Sequence, residues 1–212
     1  MRGIFLSLIL LIVSAFHATS QELSKEVKTV YDACIALRAA AKAGSEPQMK
    51  EANKLLKKCR PGYFGTLSQI DRNKVSLNDH FIFDTVFVDS LIQNRKVYTF
   101  AQKFHDNRRG SSTSSNIKVF TRDYCVRANG TAKFKFIAQK KQELALVTEP
   151  DGMVNLKVYD CRNKIWHNDD DGLNTGKPYH VRVFDIPGNY AEILVEVINK
   201  TDKDVSFVII SN

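Results

Sequence analysis

From Thr131 to Ile210 apolar and polar residues alternate in short bursts, which commits this part of the chain to sheet with one buried and one wet face. The bursts are Ala132–Ala138, Glu143–Thr148, Asn155–Asp160, Tyr179–Phe184, Ala191–Ile198 and Asp204–Ile210. Phe134 and Phe136 hold one phase, Lys133 and Lys135 the other. Ile193, Val195 and Val197 oppose Glu192 and Glu196, and Val205, Phe207 and Ile209 repeat the pattern. Strands of this kind build an antiparallel sandwich or barrel.

The N-terminus reads as a signal peptide over residues 1–20. Arg2 is a short positive region, Ile4 to Val13 an apolar run, and Ala18-Thr19-Ser20 supplies the small residues of a cleavage site. The run is short for a bilayer span, and polar Gln21-Glu22 follows at once, which favours cleavage over an anchor. The expected mature chain starts near Gln21. It is secreted, periplasmic or on the cell surface, and it does not span the membrane. The formal charge is +8, and +7 without Arg2 (8 − 1). Lys and Arg are spread along the chain among acids, as on a solvated surface, which argues against nucleic acid as partner.

Residues 21–62 read as a helical hairpin ahead of a β domain over 63–212. Leu23, Val27, Val30, Cys34 and Leu37 recur at helical spacing, with Tyr31 and Ile35 widening the stripe. Gly44 ends this helix, and Ser45-Glu46-Pro47-Gln48 has the form of a capping box. A second helix runs through Met49, Ala52, Leu55, Leu56 and Cys59 to Pro61-Gly62. A lone hairpin cannot bury its own stripe, so it must lean on the β body. Early in the β domain, His80–Asp84 and Val86–Val88 pattern as strand, and Asp89-Ser90 as the cap of a short helix. Val97–Phe104 fits strand or helix, Arg108–Ser115 is a polar loop expected to be mobile, and Asn116–Val126 resumes strand.

Cys34, Cys59, Cys125 and Cys161 include no CxxC pair. In an exported chain the local bridges would be Cys34–Cys59 and Cys125–Cys161; buried free thiols are the alternative. His80, His105, His167 and His180 sit in no metalloprotease pattern, and neither a nucleophile elbow nor a phosphate loop occurs. No catalytic residues are therefore assigned. The informative polar cluster is Trp166-His167-Asn168-Asp169-Asp170-Asp171-Gly172-Leu173-Asn174. Asp169, Asp170 and Asp171 offer the hard oxygens that calcium takes, without EF-hand spacing. The same composition also makes a plain hydrophilic turn. Trp166, the only tryptophan, with His167, Asn168 and Tyr179, can stack on a sugar ring or grip a protein segment. A Trp buried as a plug at one end of the sandwich is the alternative. Asn129-Gly130-Thr131 and Asn199-Lys200-Thr201 match the N-glycosylation acceptor pattern, the second being more simply the turn between the last two strands.

From Gly130 onward the pattern resembles the bacterial pre-peptidase C-terminal domain. The matching features are the entry Gly130-Thr131-Ala132, the strand Asn155-Leu156-Lys157-Val158-Tyr159-Asp160, the acidic loop Asn168 to Asp171, and the closing strand Tyr190 to Asn199 before a last strand ending at Ile210. The whole chain looks like small exported bacterial proteins that place a helical hairpin before a sandwich. The resemblance implies a jelly-roll-like sandwich with an accessory role, binding a glycan, peptide or partner protein. With no protease domain ahead of it, an auxiliary role within one polypeptide is not expected. The fold expected is mainly β: an antiparallel jelly-roll-like β-sandwich preceded by an N-terminal α-helical hairpin, its strongest pattern over 130–212. The function expected is non-catalytic binding to a glycan or protein at or outside the cell envelope. An extracellular hydrolase with a site assembled from scattered residues, and a structural subunit of a surface assembly, are the other two classes.

Overall fold

The computed structural model describes residues 23–71, 81–92, 118–161, 164–168 and 176–212, with 86, 87, 90, 92, 165–168 and 187–189 described by their backbone. Helix α1 spans Lys25–Lys42. Ser24 caps it by accepting from the Val27 N–H at 3.5 Å, Glu26 sits in the first turn and Lys42 in the last. Its buried residues Val27, Val30, Ala33, Cys34, Leu37, Arg38 and Ala40 form one stripe. Gly44, at φ +64°, turns the chain into α2, Glu46–Cys59. The expected capping box is not made: Ser45 forms no side-chain cap bond. Pro47 removes one of the two N–H groups that a capping hydroxyl would accept from.

Helix α3, Thr85–Ile92, corrects the strand expected at Val86–Val88. Asn53 of α2 donates to the Thr85 carbonyl at 3.0 Å and to the Asp89 carboxylate at 2.8 Å, and Lys57 pairs with Asp89. These contacts and the full burial of Val88 outweigh the β-propensity of a valine-rich run. Phe81–Asp84 is turn rather than strand, though Phe81, Ile82 and Phe83 are buried. His80, Val97–Phe104 and Arg108–Ser115 lie outside the described residues.

The strands are β1 (Gly62–Tyr63), β2 (Ser68–Gln69), β3 (Phe120–Val126), β4 (Thr131–Thr148), β5 (Asn155–Asp160), β6 (Ile165–Asn168), β7 (Tyr179–Ile198) and β8 (Val205–Ser211). They form one mixed sheet in the order β1-β3-β8-β4-β7-β5-β6, with β2 beside β4 and the β1–β3 pair parallel. The molecule is thus mainly β with a helical hairpin in front. This order is that of a single continuous sheet and does not by itself make a jelly roll.

Two strands organise the sheet. β4 and β7 pair along nearly their whole lengths, with a register shift between Gln139 and Lys141. There β4 spends one residue, Lys140, where β7 spends four, 186–189, so the sheet turns a corner. The early half of β4 pairs with β2 and the late half of β7, and the latter pairs with β5. The late half of β4 pairs with β8 and the early half of β7. Phe134, Phe136, Val158 and Val195 from one half share a buried cluster with Leu144, Leu146, Phe207 and Ile209 from the other. The halves therefore close over one core.

A second core covers the opposite face of one half only. Val30, Leu37, Met49, Ala52 and Leu56 of the hairpin pack on Ala145, Val147, Val208 and Ile210. β8 is buried at every position, which corrects the expectation of a wet face on that strand. Val208-Ile209-Ile210 is an unbroken apolar run, as burial on both faces requires. Among the described residues no helix is long and apolar enough to cross a membrane.

Two buried polar groups fix the hairpin to the sheet. Glu143 accepts from the Ser24 backbone N–H at 3.0 Å and from its hydroxyl at 2.7 Å, placing a carboxylate at the start of α1. Arg38, 6 % exposed, donates Nε to the carbonyls of Thr148 and Glu149 at 3.1 Å each. Its Nη2 reaches the carbonyls of Pro150 and Gly152, and its Nη1 the Tyr179 hydroxyl at 3.4 Å. One guanidinium thus satisfies the carbonyls of the β4–β5 turn.

Candidate functional site

The residues singled out from the sequence fall in different places. Trp166, His167 and Asn168 belong to β6, the last strand of the sheet, where they pair with Tyr159, Val158 and Lys157. Asp169, Asp170 and Asp171 lie outside the described residues. Tyr179 opens β7 opposite Val147, and its ring meets the Arg38 guanidinium at 5.3 Å within the hairpin-side core. Its ring and hydroxyl are thereby engaged on the hairpin-covered half, whereas β6 borders the other half.

All four cysteines are free thiols, so neither expected bridge is formed. Cys125 is on β3 and Cys161 follows β5, with β8, β4 and β7 between them in the strand order. Cys34 is buried on α1 and Cys59 half-buried at the end of α2. Burial pushes the thiols of Cys34, Cys59, Cys125 and Cys161 upward, and the Glu192 and Asp160 carboxylates add to the rise at Cys161. A raised thiol carries little thiolate, which is the reverse of an activated nucleophile. His180 is buried, with Nε2 at 2.8 Å from the Val154 carbonyl and 3.2 Å from that of Lys177. Two acceptors there require that nitrogen to carry the proton, and its role is to pin the strand ends. Among the described residues no group of three or more His, Cys, Asp or Glu could hold a metal.

Asn199 is also structural. At 1 % exposure its amide donates to the carbonyls of Arg127 at 2.9 Å and Lys203 at 2.7 Å, and its oxygen accepts from the Thr201 N–H and hydroxyl. That side chain closes the β7–β8 turn and is not available as a glycan acceptor. Asn129, in the other acceptor pattern, is exposed at φ +50°.

Among the described residues, the face left uncovered is the outer side of the half that the hairpin does not reach. The alternation of β4 buries Phe134, Phe136 and Ala138 and exposes Lys133, Lys135, Ile137 and Gln139. On β7 the same face carries Tyr190, Glu192, Leu194 and Glu196. Register aligns Lys135 with Leu194, Leu194 with Tyr159, and Tyr159 with Trp166. Lys133 and Glu196 stand opposite each other and pair at 2.8 Å, while Lys135 reaches Glu192 at 3.9 Å. Exposed pairs of this kind contribute about 0–1 kcal/mol each, so they order the surface more than they stabilise it.

Besides half-buried Leu194, two exposed side chains break the polar phase. Tyr190 is 69 % exposed and Ile137 52 %. They are diagonal neighbours, since Gln139 pairs with Tyr190 and Ile137 with Glu192. Both were readable as apolar residues standing in the Lys/Glu phase of their strands. The arrangement can stack on a flat apolar surface and hydrogen-bond around it; it offers no acid–base pair within reach of a nucleophile.

No protein-family model matches the sequence, and no curated protein matches it. Among solved structures, the chain is similar to PliG of Aeromonas hydrophila, a periplasmic inhibitor of g-type lysozyme, at 10% identity over 44% of this chain and 84% of that one, with a TM-score of 0.32. It is similar to the Yersinia pseudotuberculosis-derived mitogen at 8% identity, over 45% and 85% of the two chains, with a TM-score of 0.29. A cupin domain from Bordetella pertussis follows at 16% identity, over 43% and 78%, with a TM-score of 0.22. These likenesses are too distant to argue from.

Proposed function

We propose that the protein is an exported, non-catalytic binding protein whose uncovered sheet face contacts a glycan or a protein at or outside the cell envelope. One observation carries this reading. Tyr190 and Ile137 hold apolar surface in water on a regular sheet face, beside a lattice of paired Lys and Glu. An apolar pair in a neutralised frame is suited to a partner that supplies its own flat surface. At the β6 edge Trp166 continues the register row through Tyr159 and Leu194, whereas His167 is in register with buried Val158 on the opposite phase. Export rests on the signal pattern of residues 1–20.

The test is a glycan array and an envelope-protein panel probed with wild type and Trp166→Ala. Loss of a retained ligand in the variant supports the surface as extended to β6. A ligand bound equally by both removes Trp166 from it.

A further inference from the structure

Resting on that reading, we propose that the corner of the sheet, where Ile137, Gln139, Lys140 and Lys141 of β4 meet Tyr190 of β7, takes a carboxylated polysaccharide. The register shift falls between Gln139 and Lys141 with Tyr190 opposite Gln139, so these residues are neighbours at the corner, Ile137, Gln139 and Lys141 being in the outer phase of β4 and Lys140 at the shift itself. Tyr190 presents an open ring and Gln139, its register partner, an exposed amide. That is a stacking face with a hydrogen-bonding group at its side, as a pyranose ring requires. Lys140 and Lys141 are both exposed. Among the described residues neither forms an ion pair, in contrast to Lys133 and Lys135 on the same strand. The acid nearest in register is Asp185, opposite Lys141, so the corner keeps a positive excess within a chain of formal charge +8. Charge complementarity therefore selects an anionic ligand. The size of the patch selects a glycan over an acidic protein. A stable protein interface takes roughly 800 Å² per partner around an apolar centre, which the single exposed pair Tyr190 and Ile137 does not supply.

The experiment measures binding of the full chain to polygalacturonate and alginate, with methyl-esterified polygalacturonate as the uncharged control. Wild type is expected to bind at least one polyuronate and to bind the methyl ester about tenfold or more weakly, a difference of ~1.4 kcal/mol or more. Tyr190→Ala and the double variant Lys140→Gln/Lys141→Gln are each expected to weaken polyuronate binding about tenfold. Their melting midpoints should match wild type. Failure to bind either polyuronate, equal binding of the ester, or variants that bind as wild type would overturn the proposal. Polyuronate failure with Tyr190-dependent binding of a neutral glycan or an envelope protein would remove the anionic assignment alone. The broader face reading falls only when no ligand depends on Tyr190 or Ile137.

Discussion

At the scale of single residues, the buried polar groups are joints of the fold rather than chemistry. Replacing Arg38 by Lys leaves the carbonyls of the β4–β5 turn facing one compact ammonium in place of a fork. The expected loss is ~3 kcal/mol, set by unsatisfied buried carbonyls and read from the urea midpoint. Thiol reactivity gives a second expectation. A raised pKa lowers the thiolate fraction at a given pH, and burial blocks the reagent. At pH 8 the native protein should react with an alkylating reagent at Cys59 and Cys161, and at Cys34 and Cys125 only after unfolding. Mass mapping of labelled peptides checks this, and rapid native labelling of Cys34 would contradict its burial. An Arg standing four residues after Cys34 on an apolar stripe was visible in the sequence. Its partners were not, because Thr148 and Gly152 lie more than a hundred residues away. The phase of Ile137 was equally visible, yet a lone apolar residue on a wet face means little until its neighbours in space are known.

At the scale of elements, the two halves of the sheet respond differently to the same change. Ile210 on β8 lies between the sheet and the hairpin, whereas Ile137 on β4 faces water. Ile210→Lys is expected to unfold the protein or cost roughly 4 kcal/mol or more, because it buries an unpaired charge. Ile137→Lys should stay within ~0.5 kcal/mol of wild type. Chemical denaturation of both variants compares them directly. Strand β5 matched its sequence reading end to end, since turn residues bound it and its alternation is clean. β7 did not: Pro187-Gly188 reads as a break, but the two strands expected there are one strand bent through a bulge. The valine-rich run in α3 misled for a related reason, as local propensity yielded to packing on α2.

At the scale of the molecule, the chain makes one sheet that folds on itself and spends one helical hairpin on covering half of its outer surface. The mainly β character and the hairpin ahead of it were legible because periodicity reports both directly. Which half the hairpin covers was not, since that depends on Glu143 and Arg38 contacts distant in sequence. Among the described residues this asymmetry leaves the other half open, and the open half carries the apolar pair Tyr190 and Ile137. The most direct measurement compares two double variants against whatever ligand a glycan and envelope-protein panel returns for wild type. Ile137→Ser/Tyr190→Ser alters the open face, and Leu55→Ser/Leu91→Ser alters exposed apolar residues on the helices. A binding role for the open face predicts that the first variant weakens the ligand about tenfold or more while the second binds as wild type. Full binding by the first, or loss only in the second, would contradict it.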